Sequence, residues 1–394
     1  MEKSITLKPG KEVFVKRQHP WVFSGAIAQT SKGISEGDRV VVLSSTQERL
    51  ATGHYQEGSI RVRIIQHGAA TLGADFWEQA LGRALESRKL MQLVEGADTN
   101  AYRLVHGAGD LLPGLVVDIY NQLAVVQCHS TGMFLEREAI ATALRKVLAH
   151  RINTIYLRAE ATLPQRFAQE ATDGLLWGDQ PIQVVAENGH KFRIDAVTGQ
   201  KTGFFLDQRE NRQLLAHYAP GKTVLNTFCY TGGFSIYALQ AGAAHVDSVD
   251  VSAKAMALTD ENVLLNDLEV ARHTSHTSDV VQFLRQLDGK QYDIVVVDPP
   301  AYAKTIGKRH AAVQGYKRLN AQAMQAVKPG GLLFTFSCSQ VVDRQLFADT
   351  IVAAGLEAGR SARILHQLTQ GPDHPVNLFH PEGAYLKGLV VQLD

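Results

Sequence analysis

KTVLNTFCYTGGFSIYA, residues 222–238, is the stretch on which the fold turns. Thr223, Val224 and Leu225 lead an apolar run without alternation, as expected of a parallel strand covered on both faces. Gly232 and Gly233 mark a tight turn, and a helix starts behind them. The turn after such a strand is where doubly wound sheets bind nucleotide-like ligands. Glycine there lets the backbone approach a ligand with no Cβ in the way. The dinucleotide fingerprint G-x-G-x-x-G is absent, because Asn226, Phe228 and Tyr230 stand where its early glycines would be. An aromatic-rich turn suits an adenosine and a sulfonium better than a pyrophosphate, since a cation can sit near aromatic faces. The turn therefore reads as an S-adenosylmethionine site. The alternative is an ordinary strand–turn–helix corner.

Downstream the chain alternates strand and helix. TVLNTF, AHVDSVDV, EVARH, YDIVVVDP, GLLFTFS, ARILHQL and LKGLVVQL read as strands. GFSIYALQAG, AKAMALTDENVLLN, DVVQFLRQL, GYKRLNAQAMQAV and RQLFADTIVAAG read as the helices between them. This alternation predicts an α/β, Rossmann-like domain with a mostly parallel sheet. It occupies 179–394 and opens with a hairpin, 181–198, turning at Asn188-Gly189. GQKTGFFLDQRENR then crowds Lys201, Phe204, Phe205, Asp207, Gln208 and Arg209 ahead of a helix. Asp207 could cap that helix, and the loop is also a natural lid.

In such a sheet, functional side chains gather at the carboxyl ends of the strands. The first end gives Asn226 to Gly233. The second gives Asp250, with Ser252 beyond it; an acid about 20 residues after a glycine turn can accept both ribose hydroxyls. Asp279 could contact the adenine amine or cap a helix. The fourth end gives Asp298-Pro299-Pro300, where two prolines stop the strand and project the carboxylate rigidly. The fifth gives Ser337-Cys338-Ser339. A thiolate adding to carbon 6 of a pyrimidine turns the ring into an enamine, so that carbon 5 can take a methyl group. Cys338 sits where such a nucleophile would be needed; the alternative is an inert buried thiol. The stretch after Pro300, AYAKTIGKRHAAVQGYKR, reads as a loop and carries Lys304, Lys308, Arg309, His310, Lys317 and Arg318 with Tyr302 and Tyr316. It could hold phosphates beside the base pocket, or be a solvated helix face.

Upstream, residues 1–74 read as short strands of a small β-barrel. Arg17 and His19 beside Pro20, Trp21 and Phe23 suit phosphate contact plus base stacking, although from this stretch alone the aromatics read as barrel core. Residues 75–178 read as a compact α+β module. It holds a helix from Phe76, strands at AYRLVHG, LLPGLVVDIY and QLAVVQC, a helix over Met133–His150 and a strand INTIYLRA. At 394 residues two or three domains are expected. A net charge of +1 confines any nucleic-acid surface to a local patch. The cysteines, Cys128, Cys229 and Cys338, are too scattered for a metal framework. Their odd number suggests a reducing cytoplasm, and no apolar run approaches the ~20 residues of a membrane span.

VLNTFCYTGGFS, DPP, FTFSCS, QKTGFFLDQR, GLVVDIY and HPEGAYLKG together resemble the PUA-domain class of bacterial large-subunit ribosomal RNA cytosine methyltransferases. The resemblance covers essentially the whole chain. It implies an N-terminal PUA-like RNA-binding β-barrel, a middle EEHEE-type module and a class I methyltransferase domain. It also implies S-adenosylmethionine as cofactor and 5-methylcytidine in 23S ribosomal RNA as product, with Cys338 as nucleophile and Asp298 orienting the cytosine. Gln208 or Arg209, Phe228, Tyr230, Asp250 and Asp279 would surround the cofactor. Ala301 follows Asp-Pro-Pro where relatives often carry a lysine or another bulky residue. No second cysteine stands beside Asp298, so product release must use another base. The expected partner is large-subunit ribosomal RNA, with no metal, no membrane and room for a homodimer. Two other functions are open to the same residues: exocyclic-amine methylation of guanine or adenine, and RNA binding in ribosome assembly without catalysis.

Overall fold

A computed structural model describes residues 2–168, 171–289 and 291–394. The chain divides into two compact units. The first comprises Met1–Asn188, Ile194–Leu206 and Pro372–Gly383; the second comprises Gly189–Arg193, Asp207–Gly371 and Ala384–Asp394.

The first unit holds two sheets. Strands β1 (Ser4–Leu7), β2 (Trp21–Phe23), β3 (Ile27–Thr30), β4 (Arg39–Leu43), β5 (Arg49–Tyr55) and β6 (Ile60–His67) form a six-stranded sheet in the order β2-β6-β5-β4-β1-β3. Ile5, Leu7, Val40, Val42, Val62 and Ile64 fill its core. A five-residue helix, α1 (Glu12–Lys16), follows the Pro9-Gly10 turn. It is too short for helical spacing to show in the sequence. Strands β7 (Ala101–His106), β8 (Leu115–Tyr120), β9 (Leu123–Cys128), β10 (Thr154–Arg158) and β11 (Gly174–Trp177) form the second sheet, in the order β11-β10-β9-β8-β7. Helices α2 (Phe76–Leu90), α3 (Thr131–Leu135) and α4 (Arg137–Leu148) pack on it through Trp77, Leu81, Leu85, Met133, Ile140 and Leu144.

The single helix expected over Met133–His150 is broken at Glu136, between α3 and α4. The Glu136 carboxylate accepts from Trp77 Nε1 at 2.7 Å and His54 Nε2 at 3.1 Å, and pairs with Arg39. Burial alone would raise its pKa. The hydrogen bonds from His54 and Arg39 outweigh burial and bring it down to about 2.

A short α5 (Gln165–Ala168) and the hairpin β12 (Ile182–Glu187)–β13 (His190–Asp195) precede the second unit's main body. Asn188 and Gly189 both have positive φ, 49° and 79°, as the predicted two-residue turn requires.

The second unit is built on β14 (Thr223–Thr227), β15 (His245–Asp250), β16 (His273–Thr277), β17 (Tyr292–Val297), β18 (Val327–Ser337), β19 (Ala362–Leu368) and β20 (Lys387–Leu393). Their order is β16-β15-β14-β17-β18-β20-β19. The first five strands are parallel to their neighbours, and β20 runs antiparallel to β18 and β19. The connecting helices are α6 (Arg209–Tyr218), α7 (Gly233–Gln240), α8 (Ala253–Leu265), α9 (Val280–Gln286), α10 (Arg309–Ala326) and α11 (Arg344–Ala358). Two expectations are corrected. The third strand is HTSHT, with Val270–Arg272 of the expected EVARH forming a 3-10 turn ahead of it. The basic segment after Pro300 is only partly a loop, since α10 begins at Arg309.

Candidate active site

The second unit's parallel strands β14 to β18 end on one rim. β14 is buried along Val224, Leu225, Asn226 and Thr227. Beyond it the chain turns sharply: Phe228 and Tyr230 take positive φ values of 54° and 48°, and Gly232 follows at 76°. Non-glycine residues in that region are uncommon and concentrate at functional turns. Gly232 has no room for a side chain, because a Cβ would lie 2.5 Å from Thr259 Cγ2. The turn is closed by Thr259 Oγ1 donating to the Tyr230 carbonyl at 3.0 Å and Asn262 Nδ2 donating to the Thr231 carbonyl at 3.0 Å. Asn226 is buried; its amide donates to Ser235 Oγ at 2.8 Å, and its Oδ1 is left without a partner.

Asp250, at the end of β15, reaches back to this turn. Its carboxylate accepts from the Tyr230 backbone N–H at 3.1 Å and the Ser252 N–H at 2.9 Å. Both bonds fix the carboxylate and leave it half-exposed at the rim. Ser252 and Asp279 are accounted for as helix caps. Ser252 Oγ accepts from Ala255 N–H, and Asp279 Oδ1 from Gln282 N–H.

Asp298 follows β17 and accepts from Gln208 Nε2 at 3.0 Å; Gln208 Oε1 in turn accepts from Asn211 Nδ2 at 2.6 Å. Gln208 and Arg209 are both buried. Asp207, read as able to cap α6, instead accepts from Tyr385 Oη at 2.6 Å, while Gln208 occupies the cap position. Pro299 is buried and Pro300 exposed.

Cys338 follows β18. Val297 pairs with Thr335 across β17 and β18. Asp298 is one residue past that pair and Cys338 three, so both leave neighbouring parallel strands at the same end. Cys338 is partly exposed, whereas Cys128 and Cys229 are buried. Burial pushes the Cys128 thiol up to about 12 and raises that of Cys229 well above its ordinary value, so both stay protonated. The flanking serines hold the segment: Ser339 Oγ meets Tyr316 Oη at 3.1 Å, and Ser337 Oγ accepts from the Ser339 N–H at 3.3 Å.

Sequence reasoning missed Lys387. It opens β20 opposite Ser337, and its buried ammonium donates to the carbonyls of Ser339 at 2.7 Å and Tyr385 at 2.8 Å. Burial lowers its pKa to about 8, with the charge of nearby Cys338 opposing that shift. The available signal was a lysine heading a strand whose next four residues, Gly388–Val391, carry no polar side chain.

Lys304, Lys308 and Arg309 are exposed at and before the start of α10. Arg309 also lines a surface hollow of about 490 Å³ between α10 and α11, with His310, Val313, Asp343 and Leu346. That hollow contains none of the strand-end residues. Arg17 and Trp21 belong to the first unit, Arg17 exposed after α1 and Trp21 half-buried.

A PUA-like domain model matches residues 5–67, and a model of S-adenosylmethionine-dependent methyltransferases matches 102–390. "Ribosomal RNA large subunit methyltransferase I" of Shewanella denitrificans is 38% identical over 99% of both chains. Its namesake in Aeromonas hydrophila is 39% identical over all of both. Among solved structures, a methyltransferase from Streptococcus mutans superposes over the full length of both chains at TM-score 0.83 and 22% identity. Another, complexed with SAH, does so at 0.84 and 23%. These two likenesses concern the fold.

Proposed function

This chain belongs to the S-adenosylmethionine-dependent methyltransferase family, and from that premise we propose that it forms 5-methylcytidine in large-subunit ribosomal RNA. The full-length relatives named for that RNA and the match to a PUA-like domain favour the substrate. The observation that carries the cytosine reading is the partly exposed Cys338, one strand over from Asp298. A reducing bacterial cytoplasm, where such RNA is made, suits the free thiol.

The rim fits the cofactor. The turn Phe228–Gly232 carries three positive-φ residues at the end of β14, which exposes backbone where a nucleoside would lie. The pre-oriented Asp250 carboxylate is placed to accept a pair of ribose hydroxyls. Asn226 Oδ1 is a buried acceptor still to be satisfied. Bound there, S-adenosylmethionine supplies an electrophilic methyl group.

In this reading Asp298, steadied by Gln208, grips the polar edge of an unstacked cytosine; carbon 6 cannot be reached within a stack. Cys338, as thiolate, adds to carbon 6 and makes carbon 5 nucleophilic. Once carbon 5 is methylated, its proton passes to a base, the carbon–sulfur bond breaks and the thiolate is restored. Lys387 holds the Cys338 segment by the Ser339 carbonyl and places a cation near the sulfur.

The test is methyl transfer from tritiated S-adenosylmethionine to unmodified large-subunit RNA, followed by nucleoside digestion. Wild type should label 5-methylcytidine, and Cys338→Ala should label nothing. Label in a methylated guanine or adenine, retained by the variant, would replace this reading with exocyclic-amine methylation.

A further inference from the structure

We propose that His19, His380 and Glu382 form a zinc-type divalent-metal site in the first unit, tying the segment Pro372–Gly383 to the N-terminal sheet. One ligand atom from each of the three residues lies within 4.8 Å of the other two. His380 Nε2 is already 3.8 Å from Glu382 Oε2. Nitrogen and oxygen ligands sit about 2.0–2.2 Å from zinc, which places tetrahedral ligand atoms about 3.4 Å apart. Small rotations of exposed Glu382 and half-buried His19 therefore close the site.

The second observation is independent of that proximity. His380 is 4% exposed, and neither ring nitrogen has a hydrogen-bond partner. Buried polar groups are nearly always satisfied, so an orphaned imidazole calls for a partner such as an ion.

His19 Nδ1 lies 3.2 Å from the Trp21 carbonyl and 3.1 Å from the Trp21 N–H. The Trp21 ring packs edge-on against His380 with centroids 4.3 Å apart, and the two imidazoles are 5.5 Å apart at 77°. Trp21, which the sequence leaves open as a base-stacking or a barrel-core residue, thus walls one side of the cluster. Two imidazoles and one carboxylate suit zinc and its first-row neighbours, not calcium or magnesium, and leave a fourth position for water. No spacing in the sequence hints at the site, because the two histidines stand near opposite ends of the chain.

The test uses the untagged full-length protein, stripped with chelator and titrated with zinc against a chromophoric competitor. It needs neither RNA nor methyl donor, so its outcome is separate from that of the methyl-transfer assay. One equivalent of zinc is expected, raising the melting temperature. His19→Ala and the exposed-site variant Glu382→Gln should each weaken binding by about tenfold or more and reduce the thermal shift. Cobalt substitution should give a four-coordinate visible spectrum that both variants lose. Absence of stoichiometric zinc binding by folded wild-type protein overturns the proposal, as does unchanged affinity in both variants.

Discussion

Replacing Gly232 with alanine tests the cofactor turn in two separable ways. Gly232 sits at φ 76°, and left-handed backbone costs an L-residue about 1–2 kcal/mol. The new Cβ would also lie 2.5 Å from Thr259 Cγ2, with Thr259 Oγ1 at 3.2 Å. Overpacking of that kind costs about 1–3 kcal/mol. Thr259 cannot simply swing away, because its hydroxyl donates to the Tyr230 and Ala255 carbonyls, both at 3.0 Å. A combined cost of about 3 kcal/mol lowers the melting temperature by roughly 6–12 °C for a unit of this size. Because Tyr230 N–H also orients Asp250, S-adenosylmethionine affinity should fall with it. Thr259→Ser removes the crowded methyl and keeps the hydroxyl. The double variant should therefore recover part of the lost stability, leaving the backbone cost. Calorimetric titration of the methyl donor and thermal melts of the single and double variants read both effects. Wild-type affinity and melting in Gly232→Ala, or no recovery in the double variant, would refute the reasoning.

Three further outcomes follow from the structure. The Glu136 carboxylate, held near 2 against an ordinary 4.5, is linked to about 3 kcal/mol of stability. A depressed carboxylate contributes fully above its unfolded value, so the melting gap between wild type and Glu136→Gln should narrow as pH falls below about 4.5; a gap constant from pH 7 to 3 would contradict this. Lys387→Met removes the cation near Cys338, so alkylation of Cys338 by iodoacetamide at pH 7.5 should slow by about tenfold while Lys387→Arg retains most of the rate; equal rates in wild type and Lys387→Met would remove Lys387 from the site. Charge reversal at Lys304, Lys308 and Arg309 should make the salt dependence of RNA binding shallower by about 2–3 in log–log slope if each meets a phosphate; an unchanged slope in filter binding would return them to a solvated face.

The parallel sheet was legible because its central strands are covered on both faces and therefore write unbroken apolar runs, as in Ile294–Val297 and Leu332–Phe334. The Asn188-Gly189 turn was legible because few other pairs accept two positive φ values. β16 was displaced by a few residues because it is an edge strand, paired only with β15, and its HTSHT carries no apolar signature. The helix break at Glu136 depends on Trp77, His54 and Arg39, which no local pattern connects to it. The same limit hid Lys387 and the Asp207–Tyr385 bond: both join the end of the chain to distant segments, and periodicity carries no record of such contacts. Ser252 and Asp279 show the opposite ambiguity, since one residue type at one position serves equally as helix cap or ligand contact.

The proposed mechanism passes through a carbon–sulfur bond between Cys338 and its base. RNA carrying 5-fluorocytidine has no carbon-5 proton to lose, so methyl transfer to it should stall before the thiolate can leave. Peptide mass spectrometry of the full-length protein incubated with that RNA and S-adenosylmethionine should find a methylated fluorocytidine adduct on the peptide containing Cys338, and none in Cys338→Ala. A stalled adduct on another residue, or methylated RNA released with no adduct at all, would contradict the mechanism.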